Sequence, residues 1–307
     1  MQLPEELRYI QNSFKAVKTT NTRLDGKVCV ISGTTSGVGY QAARCLAEGG
    51  AHLVMICRNE DKARVVQAEL KQDFNASSDI VIADLQYLSQ VAHAAQSIAA
   101  AYPQIHILIN NAGLFNKRHR LTPDGYEMTF GVIHLASFLL THCLLDNLKQ
   151  GQPARVIDIN SEAHRFGGLN LKDLDWKKRP YIGLRAYGAA KIAQILTAQV
   201  LAEVLQGSAV TVNLMHPGAV RTNIGMNNPI LYRLYNRYLL RWFLKDPTRS
   251  GKAIYYLAAA PELQTVSGQY FNMTTQETAA SYILKDRWRQ GIYEYSMEQI
   301  KPYLEGK

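Results

Sequence analysis

Cysteine is scarce, with four in 307 residues, and none of the four stands in a CxxC or other metal-ligand spacing. Cys29, Cys45, Cys57 and Cys143 each lie within an apolar run, so they are expected to be small buried hydrophobes of a reducing compartment, with no metal site. No window approaches eighteen consecutive apolar residues, which argues against a transmembrane helix. The opening MQLPEELRYIQNSFKAVKTT has acids and polar groups where a signal peptide needs an apolar stretch, so a cytoplasmic protein is expected. Internal repeats, low-complexity tracts and linker-like stretches are missing too, which leaves one large domain as the simplest organisation. Acidic residues are in deficit, 25 against 34 Lys plus Arg, for a net charge of +9. Such a field suits nucleic acid, an anionic cofactor or an anionic membrane, but the basic residues are scattered except in one segment, so nucleic-acid binding is not expected.

What is present is alternation. Short apolar runs at 28–32, 52–57, 79–83, 105–110, 154–160, 210–216 and 269–273 are separated by helix-like segments at about 38–48, 59–74, 88–102, 126–148, 187–205 and 248–259. Strands apolar on both faces and separated by helices predict a doubly wound, mostly parallel, seven-stranded α/β sheet. Two irregular insertions, 162–186 and 219–247, directly follow strands and are expected to shape a substrate pocket at the C-terminal strand ends.

The first strand runs into SGTTSGVG. Gly33, Gly37 and Gly39, with Thr35, Ser36 and Val38 between them, have the spacing that lets backbone approach a pyrophosphate at a helix N-terminus. After the second strand stand Arg58 and Asn59, where an NAD site normally carries an acid. A guanidinium pairs with a 2′-phosphate that a carboxylate would repel, so NADP(H) is the expected cofactor. Asp84, followed by Leu85, is placed to meet the adenine. Tyr187 and Lys191 lie four residues apart on one helical face, where an ammonium can stabilise a phenolate.

Taken with Asn111-Ala112-Gly113 after the fourth strand, Ser161 after the fifth and His216-Pro217-Gly218 after the sixth, this set resembles the short-chain dehydrogenase/reductase family over about residues 24–290. The stretches ICRNEDKA, MTFGVIHLASFLLTH and NSEAH look most like its branch of retinol dehydrogenases and light-dependent protochlorophyllide reductases. The resemblance implies a Rossmann-type fold and a role for Tyr187 as general acid/base. It further implies that Lys191 tunes Tyr187 and binds the nicotinamide ribose, that Ser161 bonds the substrate oxygen, and that Pro217, Gly218, Val220 and Thr222 border the nicotinamide. Ile133 stands where the family carries an Asn that helps hold a water beside the lysine. The neighbouring His134 is expected to be structural.

Residues 231–242 predict an amphipathic helix whose Arg233, Arg237 and Arg241, continued by Lys245, form a basic stripe. It is expected to be a substrate lid within 219–247, or a peripheral contact with anionic membrane that draws in lipophilic substrate. An amphipathic N-terminal extension, 1–23, with its stripe Leu3, Leu7, Ile10, Phe14 and Val17, is expected to pack on the catalytic domain, 24–307, or on a second subunit of a homo-oligomer. The expected function is an NADP(H)-dependent oxidoreductase interconverting a carbonyl and an alcohol on a hydrophobic substrate. The alternative is an NADP(H)-binding sensor with little or no turnover.

Overall fold

The computed structural model describes residues 15–218 and 247–304. The apolar runs form β1 (Val28–Ser32), β2 (His52–Cys57), β3 (Ser78–Ile82), β4 (Ile107–Asn110), β5 (Ala154–Ile159), β6 (Val210–His216) and β7 (Tyr270–Asn272). An eighth strand, β8 (Thr275–Glu277), returns antiparallel on β7 and corrects the expected count of seven. Its three residues, TQE, are too few and too polar to register as a strand pattern. The sheet order is β3-β2-β1-β4-β5-β6-β7-β8, parallel from β3 through β7.

Alternating side chains of each strand enter opposite cores. Val30, Leu108 and Val156 face one, while Ile31, Ile109 and Ile157 face the other. The second of these cores is covered by α1 (Gly37–Glu48) and α2 (Glu60–Phe74). On the first lie α3 (Leu88–Ala101), α4 (Met128–Phe130, a π turn Gly131–Leu135, and Ala136–Cys143) and α5 (Leu145–Gln150). This same face carries α6 (Gly183–Val204), whereas α7 (Pro247–Ala259) packs on α1 at the second core. A last helix, α8 (Asp286–Leu304), closes over α6 and α4 and contributes Ile292 and Ile300 to the first core.

Three helices depart from the expected pattern. The segment 126–148 is not one helix, because the π turn and a break at Leu144 divide it. Helix α6 begins four residues before Tyr187, with an exposed first turn that carries no apolar periodicity. No helix was expected at 286–304, where Gly291, Ser296 and Pro302 interrupt the pattern. His134 is structural, as expected: it is 1% exposed and its Nε2 lies 2.7 Å from Ser296 Oγ of α8. Among the described residues no disulfide joins the four cysteines; Cys45 is partly exposed and the others are buried.

Among the described residues no helix is long and apolar enough to cross a membrane. Leu3, Leu7, Ile10 and Phe14, together with the basic stripe Arg233, Arg237, Arg241 and Lys245, lie outside the described residues. Val17 packs at the margin of the core under α1 and α2.

Candidate active site

The sheet order reverses between β1 and β4, so the crevice opens at the C-terminal ends of those strands. There the glycine loop and the Asn111 loop are tied together. Ser32 Oγ accepts from Asn111 N (3.1 Å) and Ala112 N (3.0 Å), while Asn111 Nδ2 donates to Ser32 O (2.9 Å) and Gly33 O (3.0 Å). This strut leaves no room at Gly39, where a Cβ would stand 2.2 Å from Gly33 O and 2.3 Å from Asn111 Nδ2. Gly33 and Gly37 take left-handed φ of 75° and 61°, Val38 is buried, and Gly113 borders the crevice against Ile133. The tight backbone and the exposed start of α1 fit a dinucleotide phosphate.

At the end of β2, Arg58 is exposed and Asn59 caps α2, its Oδ1 accepting from Lys62 N (2.8 Å). Beside them lies a cavity of about 270 Å³, lined by Thr35, Ser36, Tyr40, Lys62, Val65, Val66 and Glu69. Lys62 is a second cation here that the motif alone does not announce; its only signal is its position one turn after Arg58. Glu69 accepts a hydrogen bond from the Tyr40 hydroxyl (2.8 Å). Past β3, Asp84 accepts from Gln86 N (3.1 Å) and is bracketed by the Gln86 amide, and Leu85 packs partly into the core.

Helix α6 brings Tyr187 and Lys191 to the end of β5, beside Ser161. Tyr187 is partly buried and meets Phe115 edge-on, with ring centroids 5.9 Å apart. Burial pushes its phenol up to about 12, and a hydrogen bond with Ser161 pulls it back. Ser161 Oγ also caps the turn Glu162–Phe166, accepting from Ala163 N (3.2 Å). Lys191 is only 4% exposed, and its Nζ lies 5.7 Å from the Tyr187 ring centre. Desolvation lowers its pKa to about 7, opposed by the charge of Asp158. Asp158 is itself raised by burial to about 6, while Asn110 Nδ2 donates to it at 2.7 Å. Pro217 O accepts from Ser250 Oγ (2.6 Å), and Gly218 follows it with φ 79°. Val220 and Thr222 lie outside the described residues.

Three neighbours of this cluster were not anticipated. Asn160 Nδ2 donates to Lys191 O (3.0 Å) and its Oδ1 accepts from Ser161 N (2.8 Å), so one side chain spans β5 and α6. Gln194, three residues past Lys191 on the same helical face, accepts from Lys191 Nζ (3.0 Å). Gly188 lets α6 approach the Ser161 turn, since a Cβ would stand 2.5 Å from Gly167 O and 2.7 Å from Ala163 O. Both obstacles are backbone. Gly188→Ala is therefore expected to cost about 1–3 kcal/mol of stability and to reduce turnover more than cofactor affinity. Urea denaturation beside NADPH titration and steady-state kinetics checks this; unchanged stability would mean the turn yields freely. A glycine inside a helix was the available signal.

Residues 27–230 match the short chain dehydrogenase family. Human retinol dehydrogenase 13 is 37% identical over 262 residues, covering 84% of this chain and 79% of that protein. A crystal structure of an uncharacterized Mycobacterium paratuberculosis protein superposes with a TM-score of 0.74 at 25% identity, over 93% of this chain and 98% of that one. A structure described as a short chain dehydrogenase of Escherichia coli CFT073 complexed with NADPH superposes with a TM-score of 0.67 at 24% identity, over 83% and 99% of the two chains.

Proposed function

The chain belongs to the short-chain dehydrogenase family, on its retinol dehydrogenase-like branch, and from that premise we propose an NADP(H)-dependent oxidoreductase that interconverts a carbonyl and an alcohol on a hydrophobic substrate. The observation that carries this reading is the cluster of Ser161, Tyr187 and Lys191 beside the glycine loop at the C-terminal edge of a parallel sheet. The relative named as a retinol dehydrogenase supports a lipophilic substrate.

NADP(H), when bound, supplies or accepts the hydride. Gly33, Thr35, Ser36, Gly37, Val38 and Gly39 hold its phosphates, Arg58 and Lys62 its 2′-phosphate, Asp84 and Leu85 its adenine, and the Asn111–Gly113 loop its far side. Asn59 contributes through the helix it caps rather than through a free side chain. Lys191 serves the nicotinamide ribose, with Pro217, Gly218, Val220 and Thr222 at the nicotinamide. The Tyr187 hydroxyl gives its proton to the carbonyl oxygen as negative charge develops there, and Ser161 donates a hydrogen bond to the same oxygen. Protonated Lys191 stabilises the phenolate left behind. Peripheral contact with anionic membrane belongs to the proposal on the sequence of residues 231–245.

The sensor alternative rests on Ile133 alone. It predicts NADPH binding with no oxidation of NADPH by retinal, medium-chain aldehydes, steroids or quinones; turnover of any of these by purified protein removes it. For cofactor choice, Arg58→Ala is expected to weaken NADPH by about 1.5–3 kcal/mol, the range for a hydrogen bond to a charged group, and to leave NADH nearly unchanged. Fluorescence titration measures both, and equal affinities of the unaltered protein for NADPH and NADH would discard the NADP(H) assignment.

A further inference from the structure

Lys191 presents an unusual problem at this site, because its ammonium is buried and the helix facing it offers Ile133, a side chain that cannot hydrogen-bond. A buried ammonium without acceptors loses its proton. The structure answers with two acceptors among the described residues, Ile159 O at 2.7 Å and Gln194 Oε1 at 3.0 Å. The other end of the same amide is also engaged: Gln194 Nε2 donates to Ile133 O at 3.1 Å. Asn160 Nδ2 approaches Gln194 Oε1 at 3.3 Å.

We propose that Gln194 is the positioning residue for Lys191, bridging its ammonium to the Ile133 backbone carbonyl so that a polar side chain at 133 is not needed. The proposal rests on the oxidoreductase reading of the site. The amide has one sensible orientation. Reversing it would set its NH₂ against an ammonium and its oxygen against a carbonyl. Ile133 O lies within the π turn Gly131–Leu135, where the usual i→i+4 ladder is interrupted, and two side chains reach it, Gln194 and Ser137, whose Oγ donates at 2.6 Å. Gln194 is 2% exposed and three residues from Lys191, so the link is built into α6 and fixed by packing.

The charged and titratable groups around Lys191 leave this effect readable. Asp158 of β5 is its charged neighbour and favours the ammonium. Tyr187 shares its helix. From α4, His134 is kept neutral by burial at about 3; from the turn after β5, His164 is kept neutral at about 4. That turn also holds the Glu162–Arg165 ion pair (2.5 Å), β6 ends in His216, and α8 pairs Arg289 with Glu203 (2.6 Å).

The test follows the Lys191 titration by NMR of ¹³C-labelled lysine in cofactor-free protein, assigned with Lys191→Arg, beside the pH profile of kcat. Gln194→Leu removes the acceptor and should move the Lys191 midpoint to lower pH by about one unit, with a fall in kcat of about tenfold and little change in KM. Gln194→Glu replaces a dipole with a charge and should move the midpoint to higher pH. If the leucine variant does not fold, the glutamate variant and Gln194→Asn, one methylene too short to span both partners, read the same quantity. A folded variant set in which the Lys191 midpoint stays at the wild-type value would overturn the positioning role, even in an active enzyme. Opposite shifts in a protein that turns over no carbonyl would support Gln194 and count against the oxidoreductase reading alone.

Discussion

Tyr187→Phe is expected to bind NADPH as the unaltered protein does and to lose carbonyl reduction by about 10²–10⁴-fold, the usual contribution of a positioned general acid. The substitution keeps the ring, so the edge contact with Phe115 and the 5.7 Å approach of Lys191 Nζ to the ring centre survive. It removes only the hydroxyl that bonds with Ser161. The phenol, protonated at neutral pH even at its ordinary value of 10 and pushed by burial to about 12, is ready to donate in the reducing direction. Alcohol oxidation needs the phenolate and should rise with pH until Lys191, at about 7, gives up the charge that stabilises it. Stopped-flow oxidation of bound NADPH, with calorimetric titration of cofactor, separates chemistry from binding. Turnover within a few-fold of the unaltered protein would mean that another group supplies the proton.

The second large effect is on stability in mild acid. His134 and His164 are buried and neutral, with pKa values lowered by desolvation from 6.5 to about 3 and about 4. The bonds of His164 fix its neutral tautomer: Nε2 accepts from Ala280 N (3.2 Å), so Nδ1 is the atom that donates to Ser161 O (2.8 Å). Unfolding exposes both rings to water, where they take up protons. Each therefore contributes stability that is fully present above pH 6.5 and is lost as pH falls towards its folded value. The slope is about 1.4 kcal/mol per pH unit for each ring. Urea denaturation at pH 7.5, 6 and 5 should show stability falling steeply below 6.5. Asp158, raised by burial to about 6, works in the opposite direction over part of this window, because the folded state takes up its proton first, so the comparison is with His134→Gln. That variant should start less stable, having altered the bond to Ser296, but decline less steeply. Parallel declines would show that the imidazole at 134 takes no part.

The parallel sheet, the glycine loop after β1 and the Tyr187/Lys191 pair were determined by the sequence itself, because each is written in neighbouring residues. Strand and helix periods repeat over a few positions, Gly33 to Gly39 form one turn, and Tyr187 and Lys191 share a helical face. His134 was legible for the same reason, since adjacent residues on a helix diverge by about 100°. Only the tertiary structure decided how Lys191 is held. Its support joins Gln194 to Ile133 across 61 positions and Asn160 to Lys191 across 31, and each partner alone has an ordinary sequence context. The same holds for α8, whose Ser296 meets His134 across 162 positions, and for Gly188, required by the backbone of a turn some twenty residues away. Periodicity records which face of an element is buried, whereas a buried hydrogen bond depends on which two elements the fold brings within 3 Å, and that is set by packing the whole sheet between its two helical layers.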